Sequence, residues 1–361
     1  MELTVSLREI SRHVISLIRD VSYVQEAEEF PRDHYEPFPQ LGAKVSELVF
    51  EVEPKDAEFF GLDGSSKSLI TPSGIISVAT VAVSGVRSPL VGAFPSLSGF
   101  KGLNLKAPFV AVAPSITSFS PLTATANDWV MVRSVDGTLF TASMGVQRVE
   151  TELRAYLETE ALSVVPGRAI IDGPLLPSFV DLPAEVRKSL AKARISRINK
   201  DSVGLVKRID RSKMLVEALN PYASQFESRF GFKHSAYISD EPLVAWILRR
   251  FASPPYRPVA VGPIIYEPHG YRVHAYYLAV PIHPYIHKFS VFRVESLSRG
   301  EEFVREVASL PLGSSGVPFP VSYADKVARE VRGGIIRALT AYLESSGIPM
   351  SYAGKMSVTT A

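Results

Sequence analysis

The chain has 361 residues, of which 46% are hydrophobic and 21% charged, with a formal net charge of +2; that is apolar material enough for a sizeable core and excludes a disordered chain, while a polyanionic partner has to be sought in local charge. Cysteine is absent, so disulfides, zinc–thiolate sites and a Cys nucleophile are excluded together, and a reducing, cytoplasmic setting is expected. Residues 1–20 carry charges every few positions and do not read as a signal peptide, and the uncharged stretch 107–126, broken by Pro108, Pro114 and Pro121, reads as strand and loop rather than a membrane span.

In chain order, residues 4–28 have helical spacing, with Val5, Ile10, Val14, Ile15 and Ile18 on one side, and should stop before Pro31. This helix and the connection holding Pro37 and Pro39 form an expected N-terminal helical extension over 1–44, ahead of one larger domain over 45–361. A strand is expected at 45–52. Residues 59–62 lead into Asp63-Gly64-Ser65-Ser66, and residues 69–71, the turn Pro72-Ser73-Gly74 and the β-branched alternation of 75–83 predict strand, turn, strand. Short strands and loops fill 86–140, with a hairpin tip at Asp136-Gly137. Val146, Val149, Leu153 and Leu157 form a helical stripe within 144–162.

Ala169-Ile170-Ile171 then predicts a short buried strand that stops at Asp172-Gly173-Pro174. A basic helix is expected at 183–200, a strand at 203–206 and helix over 212–231. Residues 234–295 read as mainly β, with strands near 259–266, 272–282 and 287–294. A long amphipathic helix at 321–345 closes the chain. The alternation predicts a mixed α/β sheet with flanking helices.

Asp63 and Asp172 each sit where an apolar strand runs out into glycine and small residues. Two strands of this kind can set two carboxylates side by side at one edge of a sheet. Such a pair repels unless a cation lies between, and a divalent ion such as Mg²⁺ or Mn²⁺ prefers oxygen ligands. The plainer alternative is that Asp-Gly is an ordinary turn dipeptide. On the intervening helix Glu150 lies at the edge of the apolar stripe and Glu152 points well away from it, so Glu150 is the candidate third ligand. Asp325 falls inside the apolar face of the last helix, where an unpaired carboxylate is costly; it binds a cation, pairs with a Lys or Arg, or caps the helix.

These residues resemble the motifs of NurA nucleases of archaea and some bacteria. Leu62-Asp63-Gly64-Ser65-Ser66 is similar to the family's first motif and Ile170-Ile171-Asp172-Gly173 to its second acidic strand. Val203-Gly204-Leu205-Val206-Lys207 is similar to its strand ending in lysine. Gly316-Val317-Pro318-Phe319-Pro320 with Tyr323-Ala324-Asp325 resembles the motif opening its last helix, although Val317 stands where the family usually has Tyr and Asp325 where it usually has His. The resemblance implies a ribonuclease-H-like core and Mn²⁺- or Mg²⁺-dependent cleavage of single- and double-stranded DNA, typically from 5′ ends. It also implies two-fold dimers docked on a hexameric HerA translocase, resecting ends for recombination. The expected reaction is two-ion phosphodiester hydrolysis, with Asp63 bridging the ions, Glu150, Asp172 and Asp325 completing the shell, and Lys207 balancing charge on the scissile phosphate.

From Arg187 to Lys213 the chain is rich in Lys and Arg, opposed only by Asp201 and Asp210, and phosphate contact is expected there, with Arg208 and Lys213 peripheral. The aromatic residues Tyr271, Tyr276, Tyr277, Tyr285, Phe289 and Phe292 fit core packing better than base stacking. His269, His274, His283 and His287 lie in the same region; His283 and His287, beside Pro281 and Pro284, are expected in strands, and one of the four is a candidate to replace the family histidine in space. Two competing readings remain: a non-catalytic DNA-binding or adaptor subunit, and a sugar-kinase-like phosphotransferase using Asp63-Gly64-Ser65-Ser66 as a phosphate loop.

Overall fold

The computed structural model describes residues 3–19, 38–115, 127–178, 181–237 and 239–348. Among these, twelve strands form one mixed sheet. They are β1 (Gln40–Leu41), β2 (Val49–Glu51), β3 (Phe60–Thr71), β4 (Gly74–Gly85), β5 (Gly92–Phe94), β6 (Val110–Pro114), β7 (Val130–Met131), β8 (Ala169–Asp172), β9 (Val203–Val206), β10 (Val259–Tyr266), β11 (Val273–His283) and β12 (Ile286–Ser296). The order across the sheet is β1-β10-β11-β12-β9-β8-β3-β4-β6-β7, with β2 also on β10 and β5 also on β4. The helices are α1 (Leu3–Arg19), α2 (Val146–Ala161), α3 (Ala184–Arg197), α4 (Met214–Ala218), α5 (Ala223–Phe230), α6 (Asp240–Phe251), α7 (Glu302–Ala308) and α8 (Phe319–Ser345).

Among the described strands, parallel ladders are confined to β3/β8, β8/β9 and β6/β7. The long hairpin β3–β4 is sandwiched between α2 and α8. This explains why β4 is buried from end to end: a strand covered on both faces carries small and β-branched residues without alternation. Along β3 the pleat sends Gly61 and Ser65 toward α8, where a side chain on Gly61 would strike the Pro320 carbonyl and Arg332 bonds Ser65. Gly64 and Ser68 turn the other way, to Glu158 and Glu150 of α2. On α8, Val321, Ala324, Ala328, Val331, Ile335, Leu339 and Leu343 form the buried stripe, and Thr80 of β4 donates to the Ala328 carbonyl at 2.7 Å.

Further along the sheet, α4, α5 and α6 cover β10 and β11 in a second core around Leu243, Val244, Ile247, Val261 and Tyr277. A third, around Ile170, Leu205, Phe292 and Val304, lies under α7 and the start of α8. Leu7, Ile10 and Val14 of α1 are buried in the same core as β4 and α8.

The sheet, the β3–β4 and β11–β12 hairpins, the helices α2, α3 and α8 and the strands β8 and β9 fall where the residue pattern places them. The differences are instructive. The N-terminal helix is described to Arg19; residues 20–28 of that expectation, and 116–126 of the uncharged stretch, lie outside the described residues. The expected strand 45–52 is a 3-10 turn, Val45–Glu47, followed by β2. Asp63 does not end a strand: β3 continues through Gly64, Ser65 and Ser66, paired residue for residue with β4. The helix expected over 212–231 is broken into α4 and α5 around the turn Asn220–Tyr222. Within 234–295, expected to be mainly β, residues Asp240–Phe251 form the helix α6. Its Leu243, Val244, Ile247 and Leu248 have helical spacing and are buried, and Pro242 sits in the first turn, where no backbone donor is needed.

Candidate metal centre

The site is created by a mismatch in strand length. β3 pairs with β8 only through Phe60↔Ala169, Gly61↔Ile170 and Leu62↔Ile171, and β8 ends at Asp172. From Asp63 onward β3 keeps β4 on one side and has no strand partner on the other among the described residues. Asp63 and Asp172 come next after the last register pair, so the two carboxylates stand on adjacent strands at one level, about 4.8 Å apart in backbone spacing. Lys207 follows the next parallel strand, β9, and its Nζ lies 2.5 Å from Asp172 Oδ2. The chain leaves the sheet sharply here: Gly173 has φ +102° and donates to the Leu205 carbonyl at 2.8 Å.

Both covering helices reach over this open edge. A cavity of about 430 Å³ is lined by Asp63, Glu150, Asp172 and Asp325, together with Arg154, Arg329 and Arg332. The four candidate carboxylates are therefore gathered at one place, although they come from four separate elements. Glu150 Oε2 accepts from Ser68 Oγ at 3.0 Å. Asp325 Oδ1 is 2.8 Å from Arg329 Nε, one turn on along α8. Arg332 Nη1 donates to Ser65 Oγ at 2.9 Å and to the Ser66 carbonyl at 3.0 Å.

Asp63 is the electrostatic centre. Burial, then the charges of Asp172 and Glu158, then a hydrogen bond with Asp325 hold its carboxyl well above the usual carboxylate range, against the opposing pull of Lys207. Among the described residues no Lys or Arg makes an ion pair with it. A buried acid ringed by other acids keeps its proton unless a cation is supplied. The donor set is all carboxylate and hydroxyl oxygen, which suits hard divalent ions of the Mg²⁺ and Mn²⁺ kind and not zinc. Among the described residues no three Asp, Glu or His side chains converge at ligand distance, since Asp172 is turned to Lys207 and Asp325 to Arg329. Ligation therefore needs those two carboxylates to exchange an ammonium and a guanidinium for an ion.

Four participants were not expected from the sequence. Glu158 lies against Gly64, where a β-carbon would come within 2.6 Å of its Oε1. It is buried, its acidity weakened by desolvation against the pull of Arg154 and Arg194, and it pairs with Arg194 Nη2 at 3.3 Å and Arg154 Nε at 3.8 Å. Arg154, Arg329 and Arg332 are the other three. The available signal was spacing: Glu150, Arg154 and Glu158 recur every four residues on one helix, as do Asp325 and Arg329 on another. Glu152 is fully buried, but away from the cavity, accepting from Ser134 Oγ at 2.6 Å and the Val135 amide at 2.8 Å.

The basic run divides by burial. Arg187 and Arg194 are buried and cannot meet phosphate, Arg197 pairs with Glu160, and Arg208 pairs with Asp210 at 3.5 Å. None of His269, His274, His283 and His287 lines the acidic cavity, so none of these four replaces the histidine absent at 325. His283 and His287 do lie in β11 and β12. Tyr276, Tyr277 and Phe292 are core residues, as packing predicts, while Tyr285 is 70% exposed.

A mixed sheet whose central parallel strands deliver two acids and a lysine to one level, under helices that add two more acids, defines an α/β protein with an acidic, cation-seeking cleft. The NurA domain matches residues 57–330, and the chain belongs to that family. Among solved structures, the NurA nuclease from Sulfolobus solfataricus is 13% identical over 84% of this chain and 89% of its own, with a TM-score of 0.48. A structure of NurA with manganese is 10% identical over 94% of this chain and 98% of its own, with a TM-score of 0.37. No curated protein matches.

Proposed function

We propose that this protein is a metal-dependent deoxyribonuclease whose reaction centre is the cleft at the open edge of β3. The observation that carries the reading is the convergence of Asp63, Glu150, Asp172 and Asp325 on one cavity with Lys207 against Asp172. Asp63, Asp172, Glu150 and Asp325 would hold Mn²⁺ or Mg²⁺, which when bound supplies charge neutralisation for the attacking and leaving oxygens of a phosphodiester. Asp63, deprotonated once a cation is present, anchors the centre because the sheet backbone fixes it. Lys207, released from Asp172, lies where it can offset charge on the scissile phosphate. Gly64, lacking a side chain, leaves room for Glu158 and Arg154 of α2 to pack beside Asp63. Arg329 and Arg332 on α8 supply the cationic contacts that Asp325, itself an acid, cannot.

Membership of the NurA family supports a ribonuclease-H-like core, carried by residues 45–361 with 1–44 as a helical extension. It also supports action on DNA ends, from the 5′ side or within single strands, as a homodimer with a HerA-type hexameric ATPase in resection for recombination and repair. Among the described residues no helix is long and apolar enough to cross a membrane, and a cytoplasmic place is part of the proposal. The sugar-kinase reading loses its basis, since Asp63–Ser66 lie inside a paired strand and form no phosphate loop. The adaptor reading draws on Val317, which packs beside the third core and offers no polar group, and on the ion pairs that occupy Asp172 and Asp325.

End-labelled DNA incubated with Mn²⁺ decides between them. The nuclease reading expects cleavage that disappears in Asp63→Ala while DNA binding persists; equal activity in wild type and variant ends it, and no activity in either leaves the adaptor.

A further inference from the structure

Beyond Lys207 the chain does not close over the sheet. Residues 207–210 run past the end of β9 alongside β12, and α6 stands opposite, leaving a groove of about 650 Å³. Lys207 is one wall of this groove and at the same time the partner of Asp172, which lines the acidic cleft, so one ion pair separates the two. Its other cations are Arg208, Arg249 and Lys288, the last two exposed. Two carboxylates, Asp210 and Glu241, also face it, and Asp210 is engaged by Arg208 and Arg211. Lys288 has no carboxylate partner among the described residues, and Arg249 lies over the Trp246 ring, 5.1 Å from its centroid.

The groove also carries a set of aromatic edges and faces. His287 and Phe289 line it, their ring centroids 5.2 Å apart, and Tyr256 packs on both at 5.3 and 5.5 Å. Trp246, outside the lining, is 40% exposed on α6 beneath Arg249. Phosphate-binding cations alternating with ring faces are what an unpaired strand needs, because bases stack on aromatic side chains only when they are not already stacked in a duplex. A duplex reads instead as a rod of phosphates with its ring faces hidden.

We propose that this groove is a binding track for single-stranded DNA, holding the strand that leads into or out of the acidic cleft. Arg249 and Lys288 contact phosphates, and the rings of Phe289 and His287 receive bases. The proposal rests on the nuclease reading for the direction of the track, though not for its existence, and it makes Lys207 the junction between holding the strand and reacting with it.

The test is binding of a fluorescent oligo(dT), measured without divalent ions across a salt series, for the wild type, the double variant Arg249→Glu/Lys288→Glu and Phe289→Ala. Bis(p-nitrophenyl) phosphate hydrolysis with Mn²⁺, which needs the cleft but no track, is followed in parallel. The double variant should bind oligo(dT) at least about tenfold more weakly, with the slope of log affinity against log salt reduced by about 1.4, two phosphates at about 0.7 each. Phe289→Ala should weaken oligo(dT) binding at least about fivefold, the lower end of one lost base stack, and leave a blunt duplex unaffected. Hydrolysis of the small ester should be unchanged in both. Wild-type affinity and slope in the double variant overturn the track, and equal losses for duplex and single strand in Phe289→Ala overturn its single-strand character. If the wild type hydrolyses neither the ester nor DNA while the binding changes appear, the track stands and the nuclease reading falls.

Discussion

Lys207 and Asp172 form an ion pair with Nζ 2.5 Å from Oδ2, and each stands at the C-terminal end of its own parallel strand, β9 and β8. That pair stands between the carboxylates under α2 and α8 and the groove that holds Arg208, Arg249 and Lys288. If the lysine serves charge on a phosphate, its removal touches the reaction more than the fold. Lys207→Ala should lower single-turnover cleavage by about 10²–10³-fold, the usual loss when one preorganised charge stabiliser is deleted. Thermal stability should change little, since a partly exposed pair is worth about 1 kcal/mol or less. Wild-type cleavage by the variant would remove Lys207 from the reaction.

Asp63 gives the protein a pH signature. Its carboxyl is held well above the ordinary range by burial first and by neighbouring acids second. The folded state therefore keeps a proton that the unfolded chain has released. Stability from this group is full below the ordinary Asp range and is lost as pH rises through the raised value, at about 1.4 kcal/mol per pH unit while the two states differ by one proton. Melting temperatures in chelator should fall across that window, and Asp63→Asn should flatten the fall. Added Mn²⁺ should restore wild-type stability most at the alkaline end, where it takes the proton's place. A pH-independent wild-type melting curve would contradict the assignment.

Glu158 and Arg194 form a buried pair, 3.3 Å apart, that fastens α3 to α2 behind the site. Arg194→Ala leaves Glu158 buried beside Asp63 and Asp172 without its closer counter-ion, and should cost about 3 kcal/mol, the lower end for a broken buried pair because Arg154 remains. A double variant, Glu158→Leu with Arg194→Met, should recover much of that loss, because two desolvated charges are replaced by apolar volume. Urea titrations of the two variants decide: a single variant as stable as wild type would show the pair to be idle.

Two glycines should respond in opposite directions. A β-carbon on Gly61 would lie 2.2 Å from the Pro320 carbonyl carbon, backbone that cannot step aside, so Gly61→Ala should push α8 off β3, destabilise by about 1–3 kcal/mol or more, and displace Asp325 from Asp63. Gly333 lies within α8 and a β-carbon there meets only Arg337 Nη1 at an ordinary 3.6 Å. Gly333→Ala should stabilise by about 0.5–1 kcal/mol through helix propensity. Calorimetric melting of both proteins checks the pair, and a stable, active Gly61→Ala would contradict the close packing at the start of α8.

Much of this was written in the chain. Helical spacing marked α2 and α8 and placed Glu150 rather than Glu152 toward the sheet; the short apolar runs at 169–171 and 203–206 marked two of the three central parallel strands, and Asp172 and Lys207 stand at their ends. These features are local: they depend on side-chain period and on which residues tolerate a strand end. The extension of β3 through Gly64, Ser65 and Ser66 was not legible, because those residues have low strand preference and are held extended only by their full ladder with β4. Nor was the fate of Arg194, which in the sequence looks like Lys207 or Lys192. Whether a cation meets water, phosphate or a buried Glu158 is set by which helix packs on it. Residue order thus determined the acids and the elements that carry them, while the tertiary structure alone decided that β8 would stop short beside β3, opening an edge at which groups hundreds of residues apart share one desolvated space and so change one another's charge.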